Sequence, residues 1–281
     1  MRPVLDTALI REHVAAALAE DIGAGDATTE ALIDASARGR ADLIAREPLT
    51  VAGMSLAIEA FKQLDPQSEI TVHVKDGHFA KAGASVATVN ASLRTLLTAE
   101  RTALNYLQRL SGVATQAARF VQAVDGAGVK ILDTRKTTPG WRVLEKYAVQ
   151  CGGADNHRRG LDDMIMIKDN HLALRGGAIE EAIAQARQNY PNLRIEVEAD
   201  TLEQVAQAAG SGVDFILLDN MSADQLREAV ELVAGRALTE ASGGITMDTI
   251  RTVAETGVDA ISVGALTHSA PAVDIAMDIL Q

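Results

Sequence analysis

The sequence contains a single cysteine, Cys151, among its 281 residues. One cysteine excludes an intrachain disulfide and a cysteine-cluster metal site, and it is typical of a protein from a reducing compartment. No apolar run approaches the roughly 18 residues that a membrane-spanning helix needs. The first residues also lack the apolar stretch of a secretory signal, because Asp6, Arg11 and Glu12 interrupt it. We therefore expect a cytoplasmic protein without a membrane segment.

Positive charge is scarce as well. Lysine and arginine number 26 against 38 aspartates and glutamates, so the formal net charge is −12. Because nucleic-acid binding relies on cations that neutralise phosphates, this balance excludes nucleic acid as a partner. The hydrophobic fraction of 47% is that of a globular protein, and the length allows one large or two ordinary domains.

The positive charge that is present is concentrated in one segment, 135–159. This segment holds two acidic residues, Glu145 and Asp155, and carries a net charge of +4, which leaves −16 for the rest of the chain. Its six basic residues are Arg135, Lys136, Arg142, Lys146, Arg158 and Arg159. A local excess of cations in an acidic protein predicts a binding site for a small polyanion. The alternative interpretation is a solvated basic surface.

The second half of the chain alternates short apolar runs with helical patterns. The apolar runs cover 129–136, 164–171, 194–200, 214–220, 237–244 and 260–269. Such alternation predicts six parallel strands joined by helices, as a (β/α) barrel or an open doubly wound sheet. No G-x-G-x-x-G motif follows the first of these strands, which disfavours a dinucleotide-binding domain.

Residues 1–125 lack this alternation. An amphipathic helix is predicted over about 6–20, and alternating polar and apolar residues over 69–91 predict a small antiparallel sheet. A long helix is predicted from about 93 to 124, with a break near Gly112. Arg101 lies on a polar stripe of this helix, which by itself indicates a solvated face.

Chemically useful side chains follow the predicted parallel strands, where ligands bind in α/β folds. The cations are Arg135, Lys136, Lys168 and the pair His157 and Arg158, and they could hold carboxylates or phosphates. Glu198 and Asp219 end neighbouring strands and would suit a divalent metal or sugar hydroxyls. Salt bridges from these acids to the lysines are the alternative. Glu196 has the same strand phase as Glu198, so one or both could face a barrel interior.

Glycines end the last two strands, in Ser242–Gly244 and in Val263–Ala265. Backbone N–H groups at such turns form phosphate sites in barrels.

Several strings of the sequence closely resemble quinolinate phosphoribosyltransferases. They are ERTALNYLQRLSGVAT (100–115), LDTRKTTPGWRVLEKYAVQCGGADNHRRGL (132–161), IKDNH (167–171), EVEAD (196–200), LLDN (217–220), ASGGI (241–245) and VGALTHS (263–269). The resemblance implies an α/β fold with an N-terminal open α/β sandwich, residues 1–111, and a C-terminal incomplete (β/α)6 barrel, residues 112–269. It also implies that the chain's last helix, within 270–281, packs on the sandwich.

The same resemblance implies the activity. The family transfers a phosphoribosyl group from phosphoribosyl pyrophosphate to quinolinate with decarboxylation, giving nicotinate mononucleotide, pyrophosphate and CO₂ in de novo NAD biosynthesis. It implies Mg²⁺ as cofactor, no organic cofactor, and a homodimer in which Arg101 reaches the partner's site.

Residue roles come from the resemblance too. The implied quinolinate-binding residues are Arg101, Thr134, Arg135, Lys136, His157, Arg158 and Lys168. The implied ribose- and phosphate-binding residues are Glu198, Asp219, Ser242, Gly243, Gly244, Val263, Gly264, Ala265 and His268. Lys136, Glu198 and Asp219 are the implied catalytic residues, and the two acids would hold Mg²⁺ partly through water or substrate.

Three other functions remain open from the sequence. Lys136 or Lys168 could form a Schiff base with a phosphosugar in a lyase or isomerase. The chain could instead be a non-catalytic sensor of phosphorylated metabolites. A nicotinate-specific phosphoribosyltransferase would accept a monocarboxylate and release no CO₂.

Overall fold

The computed structural model describes residues 4–176 and 178–280. The chain forms two compact units. The first comprises the chain up to Ala118, the segment Val143–Gly153 and the chain from Ala270 onward. The second comprises Arg119–Arg142 and Ala154–Ser269. The expected boundaries after residues 111 and 269 stay predictions.

The secondary structure of the described residues is as follows. The helices are α1 (Thr7–Ile22), α2 (Ala27–Leu32), α3 (Met54–Leu64), α4 (Leu93–Ala123), α5 (Arg142–Cys151), α6 (Asp169–Arg175), α7 (Ile179–Asn189), α8 (Leu202–Gly210), α9 (Ala223–Val233), α10 (Ile250–Ala254) and α11 (Ala265–His268). The strands are β1 (Arg38–Ala45), β2 (Leu49–Thr50), β3 (Glu69–Val72), β4 (Phe79–Ala80), β5 (Ser85–Ser92), β6 (Lys130–Leu132), β7 (Ile165–Ile167), β8 (Ile195–Ala199), β9 (Phe215–Asp219), β10 (Leu238–Ser242), β11 (Ala260–Ser262) and β12 (Ile275–Leu280). No helix among the described residues has both the length and the apolar character to cross a membrane.

The first unit is built on a four-stranded antiparallel sheet of order β12-β1-β5-β3. Ala41, Leu43 and Ala45 on β1 are buried and alternate with more exposed residues, as expected for a sheet with one face on the core. The predicted N-terminal helix is confirmed as α1. It begins after Asp6, whose Oδ1 accepts hydrogen bonds from the backbone N–H groups of Ala8 and Leu9.

Two expectations for this unit are wrong. The long helix α4 is continuous through Gly112, because this glycine permits a close approach rather than a break. A Cβ placed there would lie 2.1 Å from the Pro271 carbonyl oxygen. The last segment of the chain is the strand β12 rather than a helix, because its backbone pairs antiparallel with β1.

The second unit contains the six predicted parallel strands, in the order β6-β11-β10-β9-β8-β7. This is the circular order of a (β/α) barrel, and no pairing joins β6 to β7 among the described residues, so the barrel is open there. An α/β fold with a sheet-based N-terminal part and an incomplete six-stranded barrel is therefore confirmed.

The strands of this barrel present different residues to their two faces. Ile195, Val197 and Ala199 on β8 are fully buried, and they alternate with Glu196 and Glu198. Because side chains alternate along a strand, the two acids share the opposite face from the three apolar residues. The apolar face supplies the core and leaves the other face for chemistry.

Candidate active site

The second unit encloses a cavity of about 510 Å³ at the carboxyl ends of its strands. Its lining residues are Thr134, Arg135, Lys136, His157, Arg158, Met166, Lys168, Glu198, Leu217, Asp219, Asn220, Glu240, Ser242, Gly243, Gly244 and Ser262. The strands contribute alternate residues, for example Leu217 with Asp219 on β9 and Glu240 with Ser242 on β10. The parallel sheet thus gathers side chains that are far apart in the sequence.

Guanidinium groups form one part of the cavity lining. The Nη1 of Arg158 donates to the Met164 carbonyl at 3.3 Å, and its Nη2 contacts the Met166 Sδ at 3.4 Å. Burial and the charge of Arg135 lower the pKa of Arg158 from its ordinary value. Two cations held this close favour an anionic ligand, which would relieve their repulsion.

Lys168 is a further cation of the cavity lining, and it contacts a carboxylate there. Its Nζ lies 2.6 Å from Glu198 Oε2. The salt bridge anticipated as an alternative therefore exists, and it lies inside the cavity. The neighbouring His171 is structural, since its Nδ1 accepts from the Lys168 backbone N–H and caps α6.

Carboxylates line another part of the cavity. One oxygen from each of Glu198, Asp200 and Asp219 lies within 4.8 Å of the others. Burial and the charges of Glu198 and Asp200 raise the pKa of Asp219, although the Nδ2 of Asn220 donates to Asp219 Oδ2 at 2.7 Å and opposes the rise. Asp200 was not predicted from the sequence. Clustered oxygen ligands of this kind are the type that Mg²⁺ prefers.

A glycine turn follows β10. Gly243 and Gly244 have φ values of 93° and 62°, in the left-handed region. A Cβ at Gly243 would lie 2.1 Å from Asn220 Oδ1, so only glycine lets the two strand ends approach each other. Both glycines line the cavity together with Ser242.

The second glycine segment lies outside this lining. Val263, Gly264, Ala265 and His268 do not line the cavity, but a Cβ at Gly264 would lie 3.1 Å from Cδ of Lys136 and 3.0 Å from Nε2 of His268. The Thr267 hydroxyl donates to the Lys136 carbonyl at 2.7 Å. These contacts bring the start of α11 next to Lys136.

Arg101 also lies outside the lining. It is an exposed residue of α4 in the first unit. Its predicted contact with a partner's site stays a prediction.

A buried ionic cluster adjoins the cavity, and two of its members, His157 and Glu240, are part of the lining. His157 Nε2 is 3.0 Å from Glu196 Oε2 and 3.4 Å from Glu240 Oε2. The two glutamate side chains are 0% and 1% exposed. Burial lowers the pKa of His157, but the two carboxylates outweigh it and raise the pKa to about 10. Nδ1 of the ring lies 2.7 Å from the backbone nitrogen of Arg158. It accepts a hydrogen bond from that N–H when the imidazole carries its own proton on Nε2.

Glu240 was not predicted as a site residue. The available signal was an acidic residue at the centre of the LTEAS strand, where a buried parallel strand ordinarily carries apolar residues. The expectation from the sequence was that Glu196, Glu198 or both face the barrel interior, and Glu196 is completely buried.

The basic segment does not form one patch. Lys146 is buried in the first unit, whereas Arg142 braces a loop of the second by donating to Thr137 Oγ1 and the Arg159 carbonyl. Of its six basic residues, Arg135, Lys136 and Arg158 line the cavity.

Family models match nearly the whole chain. The model described as quinolinate phosphoribosyl transferase, N-terminal domain, matches residues 26–111, and the corresponding C-terminal domain matches 113–278.

Individual relatives agree. A probable nicotinate-nucleotide pyrophosphorylase (carboxylating) from Synechocystis is 44% identical over 268 residues, which cover 94% of this chain and 90% of the relative. One from Bacillus subtilis is 44% identical over 261 residues, covering 92% and 90%. The crystal structure of NadC from Streptococcus pyogenes superposes with a TM-score of 0.95 at 41% identity, covering 99% of this chain and 100% of that one.

Proposed function

Because the chain belongs to the quinolinate phosphoribosyltransferase family, we propose that the cavity of its second unit binds both substrates of that reaction. The chain is a pentosyltransferase of de novo NAD biosynthesis. It transfers the phosphoribosyl group of phosphoribosyl pyrophosphate to quinolinate with decarboxylation, giving nicotinate mononucleotide, pyrophosphate and CO₂. The observation that carries the proposed site is the meeting of cations, carboxylates and a glycine turn in one cavity.

Quinolinate binds on the cationic side. Its two carboxylates need several positive groups, and Arg135, Arg158 and Lys168 supply them from the lining. Thr134 adds a hydroxyl, and the imidazole of His157 also lines this part of the cavity.

The ribose and its phosphate bind on the other side. Glu198 and Asp219 accept hydrogen bonds from the ribose hydroxyls and offset the positive charge that develops at the ribosyl centre. Ser242, Gly243 and Gly244 receive the 5′-phosphate on backbone N–H groups, and Val263, Gly264, Ala265 and His268 complete the phosphate site, with Gly264 packed against Lys136. Lys136 then lies between the two substrates.

Magnesium is the cofactor in this proposal. Glu198 and Asp219 would hold the ion, partly through water or substrate, with Asp200 within reach of the same point. Bound Mg²⁺ neutralises charge on the pyrophosphate leaving group. Burial, together with the charges of Glu198 and Asp200, raises the pKa of Asp219, and a bound cation would offset the repulsion among these three carboxylates.

Decarboxylation needs no organic cofactor. Once N1 of the pyridine carries the ribosyl group, the ring is cationic and stabilises the carbanion left when the bond to the adjacent carboxylate breaks and CO₂ departs. A proton from solvent then adds to this carbon and gives nicotinate mononucleotide. The protein therefore acts chiefly by holding two anionic substrates in the orientation for reaction. Such positioning can lower the activation free energy by about 7–11 kcal/mol.

We further propose a homodimer in the cytoplasm, in which Arg101 is donated across the interface. Its exposure on α4 leaves it available for such a contact.

The test is to incubate the protein with quinolinate, phosphoribosyl pyrophosphate and Mg²⁺ while CO₂ and pyrophosphate are followed together. Equimolar release of both products is expected. Ligand binding without pyrophosphate release would indicate a sensor instead.

Two further arms address the remaining alternatives. Pyrophosphate release with nicotinate but not with quinolinate would indicate a nicotinate-specific enzyme. A borohydride-trapped adduct of Lys136 or Lys168 with a phosphosugar carbonyl would indicate Schiff-base chemistry.

A further inference from the structure

Two buried glutamates at the cavity have no part in the chemistry described above. Glu196 on β8 and Glu240 on β10 flank the central strand β9, and both contact the ring of His157. Glu240 also lines the cavity, whereas Glu196 does not.

These carboxylates are costly to bury. Glu196 Oε1 and Glu240 Oε1 make no hydrogen bond among the described residues, and Glu196 Oε2 has only the His157 ring as a partner. Two acids at one imidazole also repel each other, and apolar residues of similar size would stabilise such an interior better. Their presence therefore calls for an explanation other than stability.

His157 is what the two acids hold in place. Its ring nitrogen Nε2 lies between them, its backbone N–H donates to Asp133 Oδ1 at 2.9 Å, and Nδ1 lies 2.7 Å from the backbone nitrogen of Arg158. Because Nδ1 accepts the Arg158 backbone N–H, the position of the ring sets the position of the Arg158 backbone. The Arg158 guanidinium is part of the cavity lining.

We propose that Glu240 is a positioning residue for quinolinate, acting through His157 to fix the His157–Arg158 segment at the cavity. The inference rests on the proposed binding of quinolinate at this cavity. Glu240 is the more informative of the two acids, because Glu196 lies two residues from Glu198 on the same strand. A change at Glu196 would also disturb the proposed ribose and Mg²⁺ residues.

The test is the Glu240→Gln variant, which keeps the shape of the side chain and removes its charge. We expect the KM for quinolinate to rise at least tenfold, while the KM for phosphoribosyl pyrophosphate stays within twofold. Calorimetric titration with quinolinate alone should show the same loss. The thermal midpoint should not fall, because the substitution removes one of two repelling charges.

A double-mutant cycle tests the route through His157. In a His157→Ala background, Glu240→Gln should have little further effect on the KM for quinolinate. Additive effects, or equal rises in both KM values, would overturn the proposal. If Glu240→Gln does not fold, Glu240→Asp serves instead, with a smaller rise in the same KM expected and an unchanged KM contradicting the role.

Glu145→Gln is the matched control. Glu145 is another fully buried glutamate, paired with Arg109 at 2.7 Å in the first unit. This variant should lower the thermal midpoint and leave the KM for quinolinate unchanged. Wild-type protein without turnover would instead count against the proposed function itself, so the two failures are distinguishable.

Discussion

Arg135 and Arg159 belong to the same basic segment of the sequence but occupy different environments. Arg135 lines the cavity and lies close enough to Arg158 to affect its pKa. Arg159 is exposed, and its backbone rather than its side chain makes the contacts, with Asp163 and Arg142. Charge counting found the segment, but only the fold separates a ligand-binding arginine from a solvated one.

The Arg135→Ala variant tests this distinction. Removing one partner of a desolvated charge pair costs about 2–4 kcal/mol, so kcat/KM for quinolinate should fall roughly 30- to 700-fold. The KM for phosphoribosyl pyrophosphate should change little. Steady-state kinetics with each substrate varied in turn would measure both. Arg159→Ala is the control and should behave like the wild type, and near-normal activity of Arg135→Ala would remove its assigned role.

Asp219 allows a test on the acidic side. Asp219→Ala should raise the KM for phosphoribosyl pyrophosphate about 10- to 100-fold and raise the Mg²⁺ concentration needed for half-maximal rate, the range typical of groups around a metal. The KM for quinolinate should change less. Asp224→Ala, an exposed residue paired with Arg227 on α9, is the control. Unchanged Mg²⁺ dependence in Asp219→Ala would argue against its place at the ion.

At the scale of elements, local periodicity predicted much of the second unit. The six apolar runs predicted from the sequence are six strands of the structure. The prediction succeeds because a buried parallel strand needs branched apolar residues whichever strand it pairs with, so the signal is local. The strand ends were also predictable, since parallel strands share one carboxyl edge. Glu240 was missed because its burial depends on His157, which comes from a loop more than eighty residues earlier.

Non-local contacts explain the errors in the first unit. β12 is a strand because its backbone pairs with the edge of β1. The six residues IAMDIL carry no signal of that partner, which lies more than 200 residues earlier in the chain. Gly112 suggested a helix break, but its lack of a side chain allows the Pro271 backbone to pack closely against the helix. A glycine signal therefore has two meanings, and only the tertiary structure distinguishes them.

The Gly112→Ala variant tests the second meaning. Alanine favours a helix by about 1 kcal/mol over glycine, so a solvent-exposed site would gain stability. Here the added methyl group meets a backbone oxygen, and we expect a net loss of about 1–3 kcal/mol in the free energy of unfolding. Denaturant unfolding would measure it. Gly210→Ala in α8, where nothing lies within 4 Å of the new Cβ, should be neutral or stabilising. A stabilised Gly112→Ala would contradict the packing role.

At the scale of the whole molecule, a chain with a net charge of −12 is proposed to bind two polyanions. Long-range attraction cannot explain this, so the cations must act within a few ångströms inside a cavity that limits screening by water. Four lysine and arginine side chains come from the lining of the second unit: Arg135, Lys136, Arg158 and Lys168. Arg101 of the partner subunit would add a fifth, which makes the proposed dimer a requirement for activity rather than an accessory.

Mixing two inactive variants tests this requirement. Each site of the proposed dimer combines Arg135 of one subunit with Arg101 of the other, so Arg101→Ala and Arg135→Ala homodimers should both be severely impaired. When equal amounts are unfolded and refolded together, half of the dimers are mixed, and one of the two sites in each is intact. Activity should then recover to about a quarter of the wild-type level, as a closed twofold assembly requires. If Arg101 acts within its own subunit, every site carries a defect and mixing restores nothing.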